Sequence, residues 1–135
     1  MKVMIDTNII LDVLCKRPAF YEDAARVFRL CEVREIEGVI SALSIPNIVY
    51  ILRKELDTEK TGQIINTLML IFSVADLRAD DLKRAVSLKF KDYEDALQSA
   101  CAERMKADFI VTRNGKDFSE SKVAAIGPAE LLARC

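Results

Sequence analysis

Five short apolar runs are the feature that most constrains the fold of this chain. They are separated by longer stretches in which apolar residues recur every three or four positions, which is the spacing of an amphipathic helix. Strands that alternate with helices pair in parallel through right-handed crossovers. The pattern therefore predicts an α/β fold, a three-layer sandwich with a central parallel sheet of four to five strands. The predicted strands are residues 3–5, 39–41, 71–74, 109–112 and 123–125.

The composition is typical of one globular domain. The chain has 135 residues, of which 51% are hydrophobic and 30% are charged. We expect a single domain, residues 1–135, with an ample core. No apolar run approaches the roughly 20 residues of a membrane span, and the charge of Asp6 interrupts the N-terminus too early for a signal peptide. We therefore expect a cytoplasmic protein without a membrane partner.

The absence of histidine limits the chemistry that is available. Without it the chain has no Ser–His or Cys–His nucleophile and no ordinary zinc site. The cysteines are widely scattered, so we expect free thiols rather than bridges or metal ligands. They are Cys15, Cys31, Cys101 and Cys135. Any acid–base or metal chemistry must therefore use carboxylates.

Acidic and amide side chains follow two predicted strands and begin one predicted helix. Asp6 follows the first strand, Asn114 and Asp117 follow the fourth, and the helix before the fourth strand begins with Asp92 and Asp95. In a parallel sheet the strand ends and the helix starts share one edge. We therefore expect these acids in one crevice. Each of them alone also has a structural explanation, as a helix cap or as part of a turn.

Several carboxylates at one edge require protonation, separation or a cation. Two carboxylates about 4 Å apart repel by roughly 4 kcal/mol at an effective dielectric constant near 20. With neither histidine nor paired thiols, a site made only of oxygen ligands favours Mg²⁺ or Mn²⁺. Such ions activate water and stabilise phosphoryl oxygens.

Two segments, MKVMIDTNIILDVL and KDYEDALQSACAERMKADFIVTRNGKDF, resemble the PIN domain family, especially its VapC-like toxins. The resemblance extends along the whole chain in length and in the order of elements. It implies a metal-dependent ribonuclease that acts on RNA with Mg²⁺ or Mn²⁺ and is paired with a small antitoxin protein. It also implies catalytic and metal-binding roles for Asp6, Asp95 and Asp117. The residues that would orient water or ligands are Asp92, Asn114, Thr7 and Thr112.

The chain departs from the family pattern early in the third predicted helix. The family usually has a glutamate there, after a serine-rich strand exit, and this chain has Asn47. Asn47 offers only a neutral carbonyl oxygen. Glu55 is eight residues further on, which is about 12 Å along a helix, so it is a poor substitute. An alternative function is therefore a catalytically weakened PIN fold that binds RNA or protein.

Basic residues flank the predicted acidic edge. The net charge of −1 does not by itself indicate a nucleic-acid-binding protein, but a local field can differ from the total. Positive charges near the acids would neutralise RNA phosphates. The predicted RNA-binding residues are Lys16, Arg17, Lys89, Lys91, Arg113 and Lys116.

Two further hypotheses concern partners and function class. The predicted helix that starts at Ser44 is apolar on nearly all sides, including Tyr50, which favours a homodimer. A phosphoreceiver signalling domain is the competing function from another class. In that reading Asp6, Asp76 and Thr112 would follow strands one, three and four.

Overall fold

The computed structural model describes residues 1–135, and its central element is a five-stranded parallel sheet. The strands lie side by side in the order β3-β2-β1-β4-β5, and every neighbouring pair is parallel. This confirms the α/β fold and the parallel sheet predicted from the sequence. In chain order the strands are β1 (Lys2–Ile5), β2 (Glu37–Ser41), β3 (Ser73–Ala75), β4 (Phe109–Val111) and β5 (Ala125–Ile126).

Helices cover both faces of the sheet and complete the three layers. One face packs against the first four helices and the last one, and the other face packs against the fifth and sixth helices. A short 3₁₀ helix, Gly115–Phe118, lies between β4 and β5. The helices are α1 (Thr7–Leu14), α2 (Tyr21–Glu32), α3 (Ser44–Leu52), α4 (Thr58–Ile71), α5 (Ala79–Ser87), α6 (Tyr93–Arg104) and α7 (Pro128–Arg134).

The central strand β1 is apolar because both of its faces are covered. Val3 and Ile5 belong to the core cluster on one face, and Met4 belongs to the cluster on the other. All three are fully buried. A strand buried on both faces has a continuous apolar sequence rather than an alternating one. Asp6 directly follows this run, and its amide donates to the carbonyl of Val111 at the end of β4, 3.0 Å away.

The predicted boundaries of two strands are wrong by one to two residues. The third was expected at 71–74, but Ile71 ends α4 and Phe72 caps it, so β3 begins at Ser73. The fifth was expected at 123–125, and β5 is Ala125–Ile126 instead. An apolar run alone cannot show where a helix ends and the next strand begins, because both elements are buried. Hydrogen bonding to the neighbouring strand decides these boundaries.

Ser44 and Thr58 are typical N-cap residues, but neither of them caps a helix here. Ser44 is the first residue of α3, and its hydroxyl contacts the hydroxyl of Thr7 at 2.7 Å instead of capping the helix. The cap of α4 is Asp57, which accepts a 2.8 Å hydrogen bond from the amide of Lys60. A carboxylate is as good a cap as a hydroxyl, so the neighbouring residue took the position.

The cysteines are free, as predicted. Cys31 and Cys101 are buried, and burial raises the pKa of the Cys31 thiol to about 12, so it stays protonated. None of the seven helices combines the length and apolarity that a membrane crossing requires.

We predict that Gly38→Ala destabilises the protein by about 1–3 kcal/mol, as overpacking of a core does. A Cβ on Gly38, in β2, would lie 2.6 Å from the Sγ of Cys31 and 2.7 Å from the Cδ1 of Phe72, both buried. Urea unfolding measures the change. Gly62→Ala in α4 is the matched control, because nothing lies within 4 Å of its Cβ. It should stabilise by about 0.5–1 kcal/mol. Equal effects at both glycines would contradict the close packing behind Gly38.

Candidate functional site

A cavity of about 330 Å³ opens at the carboxyl edge of the sheet, beside the ends of β1, β2 and β4. The cavity brings together side chains from the start of α1, the start of α3, the first turn of α6 and the segment after β4. These parts are far apart in the sequence, and the parallel sheet collects them at one edge. The acidic residues that line the cavity are Asp6, Asp92, Glu94, Asp95 and Asp117.

Asp6 is the most deeply placed of these acids, with only 7% of its surface exposed. The hydroxyl of Thr112 donates to its Oδ2 at 2.7 Å, and the amide of Gln98 makes a long 3.5 Å contact to its Oδ1. Burial raises the pKa of Asp6 above its ordinary value. The Thr112 hydrogen bond, the first amides of α1 and the charge of Arg113 only partly offset this rise. The carboxylate makes no capping hydrogen bond to α1.

Asp95 lies in the first turn of α6 and is half-buried at the centre of the acidic cluster. Burial is the largest cause that raises the pKa of Asp95 to about 7, and the charges of Asp92, Asp6, Asp117 and Glu94 raise it further. Acids from three separate segments of the chain thus act on one carboxyl group. The cavity carries more negative charge than its own side chains compensate.

Asp92 has a structural role in addition to its place in the cavity wall. It is the N-cap of α6, and its Oδ1 accepts a hydrogen bond from the amide of Asp95 at 3.1 Å. Only this half of a capping box is present, since Asp95 makes no return hydrogen bond. The cap fixes the first turn of α6 and therefore the position of Asp95.

The segment after β4 is ordered by hydrogen bonds to its own backbone. The hydroxyl of Thr112, which donates to Asp6, also accepts from the amide of Asn114 at 3.1 Å. The amide of Asp117 donates to the carbonyl of Asn114 at 2.9 Å, which opens the 3₁₀ helix. Phe118 is buried and anchors that helix. Asn114 and Asp117 consequently both face the cavity.

Thr7 and Asn47 form the wall on the α1–α3 side. The contact between the hydroxyls of Thr7 and Ser44 joins the starts of the two helices. Asn47 follows Ser44 by three residues and lines the same cavity, half-buried. Glu55 lies in a separate depression beside Leu14 and does not reach the acidic cavity. Asn47 is therefore the only side chain that occupies the place of the expected glutamate.

Sequence reasoning did not single out Gln98 or Asn8, which also line the cavity. Gln98 is a buried polar residue on an otherwise small and apolar face of α6. It follows Asp95 by three residues, so the two share a helix face. That spacing was the available signal. Asn8 follows the Asp-Thr pair directly and carried no periodic signal of its own.

Two of the predicted RNA-binding residues have internal partners. Asp12 in α1 is fully buried. Arg113 contacts it through Nε at 2.8 Å and through Nη2 at 3.2 Å, and Arg17 contacts it at 3.2 Å. The guanidinium of Arg113 also lies 3.9 Å above the centre of the Phe20 ring. These contacts tie the segment after β4 to α1 and place both arginines on a carboxylate of the protein itself.

The four predicted RNA-binding lysines lie in two different places. Lys16, two residues after the end of α1, lines the same depression as Glu55. Lys89, Lys91 and Lys116 line a second cavity, of about 520 Å³, which shares Asp92, Asp95 and Asp117 with the first. The structure therefore brings three of the lysines next to the acidic cluster.

The donor set of the acidic cavity fits a hard divalent cation. It consists of carboxylates with the amide oxygens of Asn8, Asn47 and Asn114, and oxygen ligands of this kind suit Mg²⁺ or Mn²⁺. As they stand, the side chains form no group of three or more that could hold an ion. Like charges repel, so a closed carboxylate set needs a positive charge at its centre.

The sequence matches the PIN domain family model over residues 2–116, and the chain belongs to this family. No curated protein matches it. Similar solved structures include VapBC2 from Rickettsia felis bound to a promoter DNA fragment, with a TM-score of 0.71 and 19% identity over 94% of this chain and 98% of that chain. DNA-bound VapBC from Salmonella typhimurium has a TM-score of 0.72 and 17% identity, over 95% of this chain and 98% of that chain. FitAcB from Neisseria gonorrhoeae has a TM-score of 0.69 and 18% identity, over 94% of this chain and 98% of that chain.

The phosphoreceiver hypothesis is wrong. The flavodoxin-like receiver fold has the strand order 2-1-3-4-5, and this sheet has the order β3-β2-β1-β4-β5. Asp76 therefore follows the edge strand β3, two strands away from β1. It pairs there with Arg78 at 3.1 Å and Arg104 at 3.3 Å, and it does not line the acidic cavity.

We predict that the metal-free protein loses stability as pH rises from about 4 to about 7. The folded state holds protons on Asp6 and Asp95 to higher pH than the unfolded state does, so stability is greatest below this window and lost as pH rises through it. Asp95→Asn should flatten this dependence. At pH near 8 it should raise stability by about 1 kcal/mol, a value discounted for solvent screening of a half-exposed group.

Thermal melts in EDTA at a series of pH values measure this effect. Glu35→Gln is the control, because Glu35 is exposed, forms no ion pair and lies outside the cavity. An Asp95→Asn protein that is no more stable than wild type at alkaline pH would contradict an excess of negative charge in the acidic cavity.

We predict that Asp12→Asn destabilises the protein by about 2–4 kcal/mol, because it leaves two poorly hydrated guanidinium groups without their buried counter-charge. The exposed pair between Arg29 and Glu32 gives the control, and Glu32→Gln should change stability by less than about 1 kcal/mol. Urea unfolding of both variants gives the comparison. If Asp12→Asn changes stability as little as Glu32→Gln does, Asp12 is not the anchor of Arg113.

Proposed function

We propose that this PIN domain is a Mg²⁺- or Mn²⁺-dependent endoribonuclease and the toxin of a toxin–antitoxin pair. One observation carries the proposal. Asp6, Asp95 and Asp117, from three distant segments, line one cavity at the carboxyl edge of the sheet. Membership of the PIN domain family and the shared fold of the VapBC and FitAcB complexes support it.

In this mechanism Asp6, Asp95 and Asp117 would hold the ion, which would supply Lewis-acid activation of a water molecule and of the scissile phosphate. The protein's own contribution is to hold these carboxylates in place. Thr112 fixes Asp6 through its 2.7 Å hydrogen bond. The Asp92 cap positions Asp95 at the start of α6. Asn114 and Thr7 contribute polar groups at the rim that orient water or RNA.

Asn47 supports a second candidate function. It is placed to offer a neutral oxygen where the family pattern has a carboxylate, so the site has one negative charge fewer with which to bind the cation. The alternative is a PIN fold that binds RNA or a protein without cutting it. The two candidates differ in cleavage rather than in fold.

The proposed partners are RNA, a small antitoxin protein and a second copy of the chain. A solved structure from Klebsiella pneumoniae that this chain resembles is named as a toxin–antitoxin complex, which supports an antitoxin partner. Tyr50 on α3 is 69% exposed and borders an apolar groove with Ile45, Pro46 and Val49. This apolar face supports the homodimer, which stays a prediction.

We predict that wild type cleaves total RNA with Mn²⁺ and not with EDTA. Asp95→Asn should lower the cleavage rate about 100-fold or more, since even outer-shell changes at metal sites cost 10- to 100-fold. Asn47→Glu should bind Mn²⁺ more tightly and cleave faster, because it adds a charged ligand. Calorimetric titration of Mn²⁺ and a gel assay of cleavage measure the two effects, with Glu35→Gln as the control.

The outcomes separate the candidates. If Asp95→Asn cleaves as fast as wild type, the activity belongs to a contaminant and the nuclease proposal fails. If no variant cleaves while wild type binds RNA, the non-cutting PIN fold is the better description.

A further inference from the structure

The acidic cavity continues into a second cavity of about 520 Å³ on the side of α6 and the 3₁₀ helix. Asp92, Asp95 and Asp117 belong to both. A ligand in the second cavity therefore touches the proposed catalytic carboxylates. Besides these acids, its walls contain Lys89, Phe90, Lys91, Lys116, Ser119 and Glu120.

The three lysines of this second cavity have no partner in the protein. Lys89, Lys91 and Lys116 are exposed, and none of them forms an ion pair, although carboxylates line the same cavity. Arg17 and Arg113, by contrast, are held on Asp12. An ammonium group is a compact, hydrated point charge that binds phosphate without a fixed direction. The free lysines therefore offer positive charge beside the acidic site.

Two aromatic rings hold the lysine-bearing segments together. Phe90 lies between Lys89 and Lys91 in the connection from α5 to α6, and Phe118 follows Lys116 by two residues. The two rings pack edge to face, with centroids 6.0 Å apart. Phe118 is buried and Phe90 packs against the core of the second sheet face. The backbone of both segments is thus anchored while the ammonium groups stay free.

Among the residues that line the two cavities, positive charge lies on this side only. The opposite wall, toward α1 and α3, consists of Leu11, Leu43 and Ile51 with a few neutral polar groups. No lysine or arginine lines the 330 Å³ cavity itself. The lysines of the second cavity therefore place positive charge on one side of the acids.

We propose that the cleft formed by Lys89, Lys91 and Lys116 binds the phosphates of single-stranded RNA on one side of the bond that is cut. This inference rests on the proposed nuclease function. The cleft has three positive charges against the four carboxylates of Asp92, Asp95, Asp117 and Glu120. RNA therefore enters it favourably only when a divalent cation offsets the acids, and RNA affinity should rise when the cation is present.

The test compares two triple variants with the same change in net charge. One carries Lys89→Gln, Lys91→Gln and Lys116→Gln. The control carries Lys60→Gln, Lys83→Gln and Lys106→Gln, which replace exposed, unpaired lysines outside both cavities. Circular dichroism checks that both fold. Fluorescence anisotropy of an end-labelled single-stranded RNA measures the Kd with Ca²⁺ and with EDTA, and a denaturing gel checks that the RNA is intact.

The cleft variant should bind RNA about 10- to 100-fold more weakly than wild type at about 50 mM salt, and its salt slope should fall by about 2, since each phosphate contact contributes about 0.7. The control variant should stay close to wild type. In Mn²⁺-dependent cleavage the cleft variant should raise KM and leave kcat unchanged. Equally weaker RNA binding in both variants, or unchanged RNA binding in the cleft variant, would overturn the proposed role of the cleft.

The two proposals can fail separately. If wild type cuts RNA and the cleft variant binds and cuts like wild type, the nuclease function stands and the cleft is wrong. If no protein cuts RNA but only the cleft variant loses RNA binding, the lysines are an RNA-binding surface and the nuclease function is wrong.

Discussion

The structure depends on a carboxylate, Asp6, held at the end of a strand that is buried on both faces. β1 lies between β2 and β4, and Asp6 at its exit is buried. A charged group in this place must be supported by neighbours, because burial favours its neutral form. Thr112 at the end of β4 and Gln98 on α6 supply that support. The pairing of β1 with β4 therefore shapes the fold and the site at once.

The pairing of charges separates the acids of this protein into two kinds. Asp12 is fully buried, yet two arginines compensate it, so its charge ties α1 to the segment after β4. Asp95 is only half-buried, but its nearest charged neighbours are other acids. A compensated acid holds parts of the chain together. An uncompensated acid in a cavity is a place where a cation lowers the free energy, and perturbed acids of this kind mark functional sites.

The basic residues divide in the same way, and here reasoning from sequence alone treated unlike residues as alike. Arg113 and Lys116 both lie beside Asn114 in the chain, and both were predicted to bind RNA. Arg113 turns toward the buried Asp12 and the ring of Phe20, while Lys116 stays exposed beside the acids. Nearby residues in a turn point in different directions, and whether each one meets a partner depends on distant parts of the chain. No local pattern contains that information.

The sequence by itself determined the order of strands and helices along the chain and the edge of the sheet at which Asp6, Asp95 and Asp117 meet. Apolar runs and helical periodicity are local, and a parallel sheet places the ends of its strands at one edge whatever the details. Only the tertiary structure decided where β3 and β5 begin, that Ser44 contacts Thr7 instead of capping α3, and that Gln98 faces Asp6. It also decided which basic residues are free. These features depend on contacts between residues that are distant in sequence, and the free energy of such contacts exceeds that of local preferences.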